Sequence, residues 1–304
     1  MRHYFSFFLS IAAVFLFISC KQEMAKTEKP TKPEEAIVLV DESIKPIVED
    51  LVQVFESKYN DKILIVAKSE REVIQSLSKD TARIAVLTRR ITKKEEAFFI
   101  AKKLNPRMTP FAHDAIAFIA NKNTKDTLIT LKEVKDFMNG SKSNKIKGLV
   151  FDNLNSSTVR LISEMSGISS IPKDNVFSFK TNNEVINYVA ENNGIIGVVG
   201  INYIFEPSEK IMASIPKINV LNVLNTTDNV YYSPTQNNLG EGAYPLVRKL
   251  FVVNAQGQEG IGFRFSAFIA SEIGQRIILK SGLLPYEMPS RNIRIRNTIN
   301  NDKK

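Results

Sequence analysis

The sequence predicts an α/β protein of two lobes, and three observations support this prediction. Short apolar runs alternate with segments whose apolar residues recur at helical spacing, which is typical of parallel sheets with helices on both faces. The chain has 304 residues, 43% of them hydrophobic, which is enough for two lobes with packed cores. Two longer strand-like runs, at 114–121 and 244–253, separate two sets of this alternation and are expected to form a hinge.

The first set of elements follows from the order of apolar residues. A buried strand is expected at 36–40, and a helix with helically spaced apolar residues follows from Ile44. Pro46 stands in the first turn of that helix, where its missing N–H costs nothing. Thr92 and Glu95 form a capping box that opens another helix. The other elements of this set are strands at 62–67 and 83–87 and a helix at 70–77.

The second set has its own start and stop signals. Thr130 and Glu133 form a capping box, and Gly140 is the expected stop of the helix that they open. The segment 263–280 is strongly amphipathic and is expected to be a helical stretch. The other elements of this set are strands at 148–151 and 194–199 and helices at 156–165 and 182–192.

The first twenty residues resemble a bacterial lipoprotein signal. The apolar run at 5–18 is too short for a comfortable membrane span and fits a secretory signal, and it ends in Ser19-Cys20. Cys20 is the only cysteine, so it has no disulfide partner within the chain. We expect a signal peptide at 1–19 and a palmitate-bearing Cys20 that begins a flexible tether at 20–36. An ordinary signal peptide with an incidental cysteine is the alternative.

This N-terminus predicts the location of the protein. The body at 37–297 is expected in the cell envelope outside the cytoplasm, attached to the membrane through the lipid anchor only. Although the net charge is +9, the basic residues are scattered without a long Lys/Arg block. Nucleic acid is therefore not an expected partner.

The sequence offers little for catalysis. It contains no dinucleotide fingerprint, P-loop, HExxH motif or nucleophile elbow, and it lacks cysteine and histidine ligands for a metal site. His113-Asp114 could be a general-base pair, but adjacent residues of a strand point to opposite faces. We therefore expect no catalytic residues, no metal and no cofactor, and a protein that is not an enzyme.

Three strand-to-helix junctions carry hydroxyl residues, at 41–43, 68–70 and 155–158. A helix N-terminus offers free N–H groups and the positive end of its dipole, and added hydroxyls make it typical of an oxyanion site. At any single junction an ordinary N-cap is the alternative. Since ligands of α/β proteins lie at the carboxyl ends of parallel strands, the three junctions together favour a shared oxyanion site.

Several short motifs follow one another in a fixed order. They are Ser43-Ile44-Lys45-Pro46, Thr88-Arg89, the run 113–121, LKEVKDFMNG at 131–140, Ser156-Ser157-Thr158, the glycine-flanked run 194–199, Tyr244-Pro245-Leu246 and Gly282-Leu283-Leu284-Pro285. In this order and spacing the chain resembles the phosphate-binding, PstS-like substrate-binding proteins of bacterial ABC importers, over about residues 37–295.

The resemblance implies a two-lobed periplasmic-binding-protein fold, type II-like, with a hinge between the lobes and the ligand in the cleft. Lobe one would comprise 37–110 plus 249–297, and lobe two 111–248. It also implies a monomer that binds phosphate or another small oxyanion and meets ABC permease subunits. The implied ligand contacts are Ser43, Ser69, Thr88, Ser156, Ser157 and Thr158, with Arg89 or Arg160 as a compensating arginine.

Two positions depart from the family pattern. Asp152 stands where tight phosphate binders usually carry an arginine, so a bidentate partner for the anion is missing. Thr88 stands where they often carry an aspartate, which can accept the proton of hydrogen phosphate and repel sulfate. Other oxyanions therefore stay open as ligands. Two alternatives also stay open: a lipoprotein of this fold that binds another ligand or a partner protein without transport, and an exported phosphate-ester hydrolase.

Overall fold

The computed structural model describes residues 33–168, 171 and 174–290. The strands are β1 (Glu35–Asp41), β2 (Lys62–Lys68), β3 (Ile84–Leu87), β4 (Arg107–Asn121), β5 (Leu128–Ile129), β6 (Gly148–Phe151), β7 (Val176–Ser178), β8 (Ile195–Gly200), β9 (Ile218–Val220), β10 (Asn222–Asn225), β11 (Val230–Tyr232), β12 (Val247–Asn254) and β13 (Leu284–Pro285). The helices are α1 (Lys45–Tyr59), α2 (Glu70–Ser78), α3 (Lys93–Ala101), α4 (Leu131–Met138), α5 (Ser157–Ser166), α6 (Asn182–Glu191), α7 (Asn202–Phe205), α8 (Glu209–Met212), α9 (Gln236–Gly240), α10 (Ile261–Ala270) and α11 (Glu272–Lys280). Single turns of 3₁₀ helix cover Glu42–Ile44 and Ile215–Lys217.

The predicted α/β class is confirmed, and one long sheet organises the fold. Its strand order is β2-β1-β3-β12-β4-β8-β6-β7, with β9 and β13 also paired to β4. β1 is parallel to β2 and β3, and β6 is parallel to β7 and β8. β12 and β4 run antiparallel to their neighbours. The sheet is therefore mixed, whereas the sequence pattern predicts parallel strands. A small second sheet has the order β11-β10-β5.

Strand β4 joins two groups of elements. Its first part, Arg107–Ala115, pairs with β12, and its second part, Ile116–Ala120, pairs with β8. We call β1, β2, β3 and β12 with helices α1, α2, α3, α10 and α11 the first lobe. We call β6, β7 and β8 with helices α4, α5 and α6 the second lobe. The polar cleft described below lies where the two lobes meet.

The strand expected at 244–253 begins later than the sequence suggests. β12 starts at Val247 and pairs with β3 and with the first part of β4. Pro245 has no N–H to donate to a strand ladder, which accounts for the late start. The apolar run before it is still buried, because the side chains of Tyr244 and Leu246 pack in the core.

Helix α1 shows how packing fixes the cleft. Its residues Ile47, Val48, Leu51 and Phe55 are fully buried and share one helix face. Burial of each such side chain contributes roughly 1.5–3 kcal/mol. Because the helix is held firmly against the core, the 3₁₀ turn Glu42–Ile44 before it has a fixed place at the end of β1.

Local signals set several helix ends correctly. Capping boxes open α3 at Thr92 and α4 at Thr130, and Gly140 follows α4 with a φ of +88°. The helical stretch expected at 263–280 consists of two helices, α10 and α11, which meet at Ser271. Ser271 ends α10, and its side chain accepts the N–H of Gly274 to cap α11.

The N-terminal predictions fall mostly outside the described residues. The signal peptide at 1–19, Cys20 and the tether up to residue 32 lie there. The predicted end of the tether is corrected, since Glu35 and Ala36 belong to β1 and pair with β2. Among the residues that the structure describes, no helix is long and apolar enough to cross a membrane.

Candidate functional site

Five of the hydroxyl residues predicted for the site lie together between the lobes. Ser43 is in the 3₁₀ turn after β1, and Thr88 follows β3 directly. Ser156 caps α5, and Ser157 and Thr158 are its first residues. All five are buried, with at most 4% of any residue exposed. The loops after the strands therefore bring hydroxyls from both lobes to one place.

An arginine from β12 stands at the centre of these hydroxyls. The hydroxyl oxygens of Ser43 and Ser157 lie 3.0 Å apart across the lobe boundary. The Nη1 atom of Arg248 donates to both, at 3.0 and 2.9 Å. Nη2 of Arg248 donates to the Asp114 carboxylate, and this ion pair is fully buried. The sheet register fixes the pair, since Arg248 and Asp114 face each other across β12 and β4.

Asp41 supplies a carboxylate on the first-lobe side. It accepts hydrogen bonds from the Ser43 hydroxyl at 3.0 Å and from the Thr88 hydroxyl at 3.4 Å. Burial raises the pKa of Asp41 to about 6, against the opposing charge of Arg248. A carboxyl group with this pKa can accept or release a proton near neutral pH.

Asp152 supplies a carboxylate on the second-lobe side. It accepts a hydrogen bond of 2.6 Å from the Thr158 hydroxyl, which also lies 2.7 Å from the hydroxyl of Ser156. The side-chain amide of Asn182 donates to the other Asp152 oxygen at 3.2 Å. Burial raises the pKa of Asp152. The position that is usually an arginine in tight phosphate binders is thus part of a buried hydrogen-bond network here.

Glu42 links the lobes beside this network. Its carboxylate accepts hydrogen bonds of 2.6 Å from the Tyr203 hydroxyl and from the Asn182 amide. Burial, reinforced by the nearby charge of Asp152, raises the pKa of Glu42 to about 7. Gly200, at the end of β8, allows the 3₁₀ turn Glu42–Ile44 to pack closely against it, because a Cβ atom there would collide with the carbonyl oxygen of Ser43.

Two predicted site residues lie outside this cluster. The Ser69 hydroxyl donates to Glu72 at 2.6 Å, and Ser69 lines an open cleft of about 950 Å³ whose lining also includes Glu42 and Asp152. Arg89 donates to Glu70 and to Glu95, each at 2.8 Å. Neither residue hydrogen-bonds to the hydroxyl cluster.

The cluster suits a small oxyanion that carries a proton. Hydroxyls and one guanidinium are donors for anionic oxygens, and the free N–H groups at the start of α5 add to them. Asp41 is an acceptor for the proton of such a ligand. In this structure the donors bond to one another, so a bound oxyanion would replace those bonds.

Comparison with known proteins places the chain in a family. The profile of the PBP superfamily domain matches residues 25–272. The chain belongs to the PBP superfamily. Phosphate-binding protein PstS of Borreliella burgdorferi is 25% identical over 263 residues, which cover 80% of this chain and 86% of that protein. The expected resemblance to PstS-like proteins is thereby confirmed.

Solved structures of PBP superfamily members show the same fold. A putative phosphate ABC transporter substrate-binding protein from Clostridium perfringens, with bound phosphate, matches with a TM-score of 0.68 at 20% identity, covering 83% of this chain and 100% of that one. An ABC-type phosphate transport receptor from Vibrio cholerae matches with a TM-score of 0.60 at 17% identity, covering 83% and 99%. The periplasmic-binding-protein fold predicted from sequence is confirmed.

Sequence reasoning missed part of the cluster in this PBP superfamily chain. Arg248 was not among the predicted contacts, although it follows the Tyr244-Pro245-Leu246 motif by two residues. The sequence suggests only His113 as a partner for Asp114, whereas the structure pairs Asp114 with Arg248. The signal that could have indicated Arg248 is its basic side chain next to this motif. Glu42 belongs to the junction at 41–43, but no local pattern marks Asn182 or Tyr203 as its neighbours.

Proposed function

We propose that this protein is a lipid-anchored solute-binding protein outside the cytoplasm, and that it captures inorganic phosphate or a related small oxyanion for an ABC importer. The observation that carries the proposal is the convergence of hydroxyls from both lobes on the guanidinium of Arg248. The names of the relatives from Borreliella burgdorferi and Clostridium perfringens support phosphate as the solute. The proposed role is binding rather than catalysis, and the proposed partners are permease subunits.

Asp41 favours phosphate or arsenate over sulfate in this proposal. Near neutral pH phosphate carries at least one proton, which Asp41 could accept in a hydrogen bond. Fully ionised sulfate has no proton to donate and would be repelled by the ionised form of the carboxylate. Asp41 would thus have the role of the aspartate that tight phosphate binders often carry at the position of Thr88.

The anchor and the lobe boundaries complete the proposal. We place a signal peptide at 1–19, lipid on Cys20, lobe one at 35–110 plus 247–290 and lobe two at 111–246, because boundaries at 37 and 249 would divide β1 and β12. The protein would act as a monomer that contacts the membrane through its lipid alone. The support for the anchor is the apolar run that ends at Ser19-Cys20.

One observation favours a second candidate, a lipoprotein of this fold that binds another ligand without transport. The open cleft of about 950 Å³ is large enough for an organic molecule, and of the predicted contacts only Ser69 lines it. Binding of phosphate by the full chain separates the two candidates. If the ligand is an organic molecule in the open cleft, removal of a buried hydroxyl should not change the affinity for that ligand.

Ser157→Ala is expected to weaken phosphate binding by about ten- to a hundredfold. The variant removes a hydroxyl that reaches Ser43 and Arg248 at once, and a hydrogen bond to a charged group contributes roughly 1.5–3 kcal/mol. Calorimetry of the full chain with phosphate measures the change. Ser163→Ala, further along the same helix, is the matched control. Equal affinities of the two variants would contradict this use of the hydroxyl cluster.

Cys20→Ser is expected to move the protein out of the membrane fraction or to leave its signal uncleaved. In this proposal the lipid on the Cys20 thiol attaches the protein to the membrane, and the serine hydroxyl cannot carry that lipid. Cell fractionation with mass analysis of the N-terminus tests this, and Ser19→Ala is a conservative control. An unchanged distribution and N-terminal mass would show that Cys20 carries no anchor.

A further inference from the structure

Glu70 places a carboxylate between two arginines, one from each lobe. It is the first residue of α2 in the first lobe, and its side chain is only 5% exposed. Arg160, on α5 in the second lobe, donates to both oxygens of Glu70, at 2.9 and 3.1 Å. Arg89 of the first lobe donates to it at 2.8 Å, and the Thr88 hydroxyl at 3.3 Å. Four donors therefore converge on one internal anion.

These contacts are those that a bound oxyanion would need. Two guanidinium groups and a hydroxyl, contributed by both lobes, surround the two negatively charged carboxylate oxygens of Glu70. The Thr88 hydroxyl lies 3.3 Å from Glu70 and 3.4 Å from Asp41, so its one proton is shared between the two carboxylates and Glu70 adjoins the hydroxyl cluster directly. Arg89 and Arg160 have second partners, Glu95 and Glu164, which keep each arginine in place.

The lobes also touch beside Glu70. The backbone N–H of Arg71, the next residue, donates to the carbonyl oxygen of Asn155 in the second lobe at 3.3 Å. Arg71 is in the first turn of α2, where an N–H has no acceptor within its own helix. Protection of this N–H from hydrogen exchange therefore reports contact between the lobes.

We infer that the Glu70 carboxylate is a built-in anion that holds the two lobes together without solute and competes with the solute for Arg89 and Arg160. This role rests on the proposed function, because it takes the solute to be an oxyanion of the same cleft. A solute must then displace Glu70 from its arginines, which lowers the affinity of the wild-type protein. Removing the charge of Glu70 should loosen the lobes and free the arginines.

The test compares Glu70→Gln with Glu164→Gln in the full chain. Both variants remove a carboxylate from Arg160, but Glu164 is 57% exposed and binds the arginine at Nη1, away from the Glu70 contacts. Without solute, Glu70→Gln should speed exchange of the Arg71 N–H and increase the radius of gyration in solution scattering. Its phosphate affinity should rise about tenfold or more. Glu164→Gln should leave all three measurements close to wild type.

The outcomes separate this role from the proposed function. If solute-free exchange and radius of gyration are the same in both variants, Glu70 does not hold the lobes together and the inference fails. If the wild type binds phosphate and Glu70→Gln binds it no more tightly, the competition is disproved. If no variant binds phosphate but Glu70→Gln alone loosens the lobes, the proposed function fails and the contact role of Glu70 stands. Arg160→Gln, which removes the second-lobe side of the contact, should loosen the lobes equally if Glu70→Gln does not fold.

Discussion

Arg248→Met is expected to lower the free energy of unfolding by about 3–5 kcal/mol, because it leaves the buried Asp114 carboxylate without its cation. Both side chains of this ion pair are at most 1% exposed, so water cannot compensate for the lost partner. The same substitution removes the donor shared by Ser43 and Ser157. Denaturant unfolding of the full chain measures the loss of stability.

The control for Arg248 is Arg276→Met. Arg276 pairs with Glu272 on the surface, where the two side chains are 43% and 52% exposed, and the expected cost is below about 1 kcal/mol. The double variant Arg248→Met/Asp114→Leu replaces the buried pair by apolar groups and should recover most of the stability. A single Arg248 variant as stable as the Arg276 variant would contradict the buried-pair account.

Glu42→Gln is expected to stabilise the protein increasingly as pH rises. The pKa of Glu42 is about 7 in the folded protein because of burial, whereas an unfolded glutamate has a pKa of about 4.3. The folded state therefore retains a proton that the unfolded state releases. The stability contribution of Glu42 is fully present below about pH 4.3 and is lost as pH rises through 7. Glutamine does not titrate and avoids this loss.

The size of the Glu42 effect follows from the same shift. Between about pH 4.5 and pH 8 the unfolding free energy of Glu42→Gln, relative to wild type, should rise on the order of 3 kcal/mol. Denaturant unfolding at both pH values measures it. Glu49→Gln is the control, because Glu49 is half-exposed in a surface pair with Lys45, and its difference from wild type should change little. A pH-independent difference for Glu42→Gln would show that burial does not perturb this carboxyl.

Local chemistry explains what the sequence could predict. Helix starts at Thr92, Thr130 and Ser156 depend on neighbours three residues away, and the structure has all three. Of the hydroxyls predicted for the cleft, Ser156 caps α5, and Ser157 and Thr158 are its first residues. Since strand ends converge in an α/β sheet, the grouping of Ser43 with Ser157 followed from topology.

The rest of the cluster depends on tertiary register. Arg248 meets Asp114 only because β12 and β4 align those residues across the sheet, and no spacing within 114–248 encodes that alignment. The sequence pattern predicts Ser69 as a ligand contact, but its hydroxyl donates to Glu72 of its own helix. Asp152, interpreted as a missing arginine, is an acceptor for Thr158 and Asn182. The sequence pattern could indicate where the cleft lies, but not the hydrogen-bond partners of its carboxylates.

The central claim is that this cleft binds a protonated oxyanion, and calorimetry of the full chain with phosphate, arsenate and sulfate near neutral pH tests it most directly. Phosphate and arsenate should bind at one site, and sulfate at least about tenfold more weakly, because Asp41 has no proton to accept from it. Asp41→Asn should narrow the difference between phosphate and sulfate. The account is contradicted if none of the three anions binds, or if sulfate binds as tightly as phosphate.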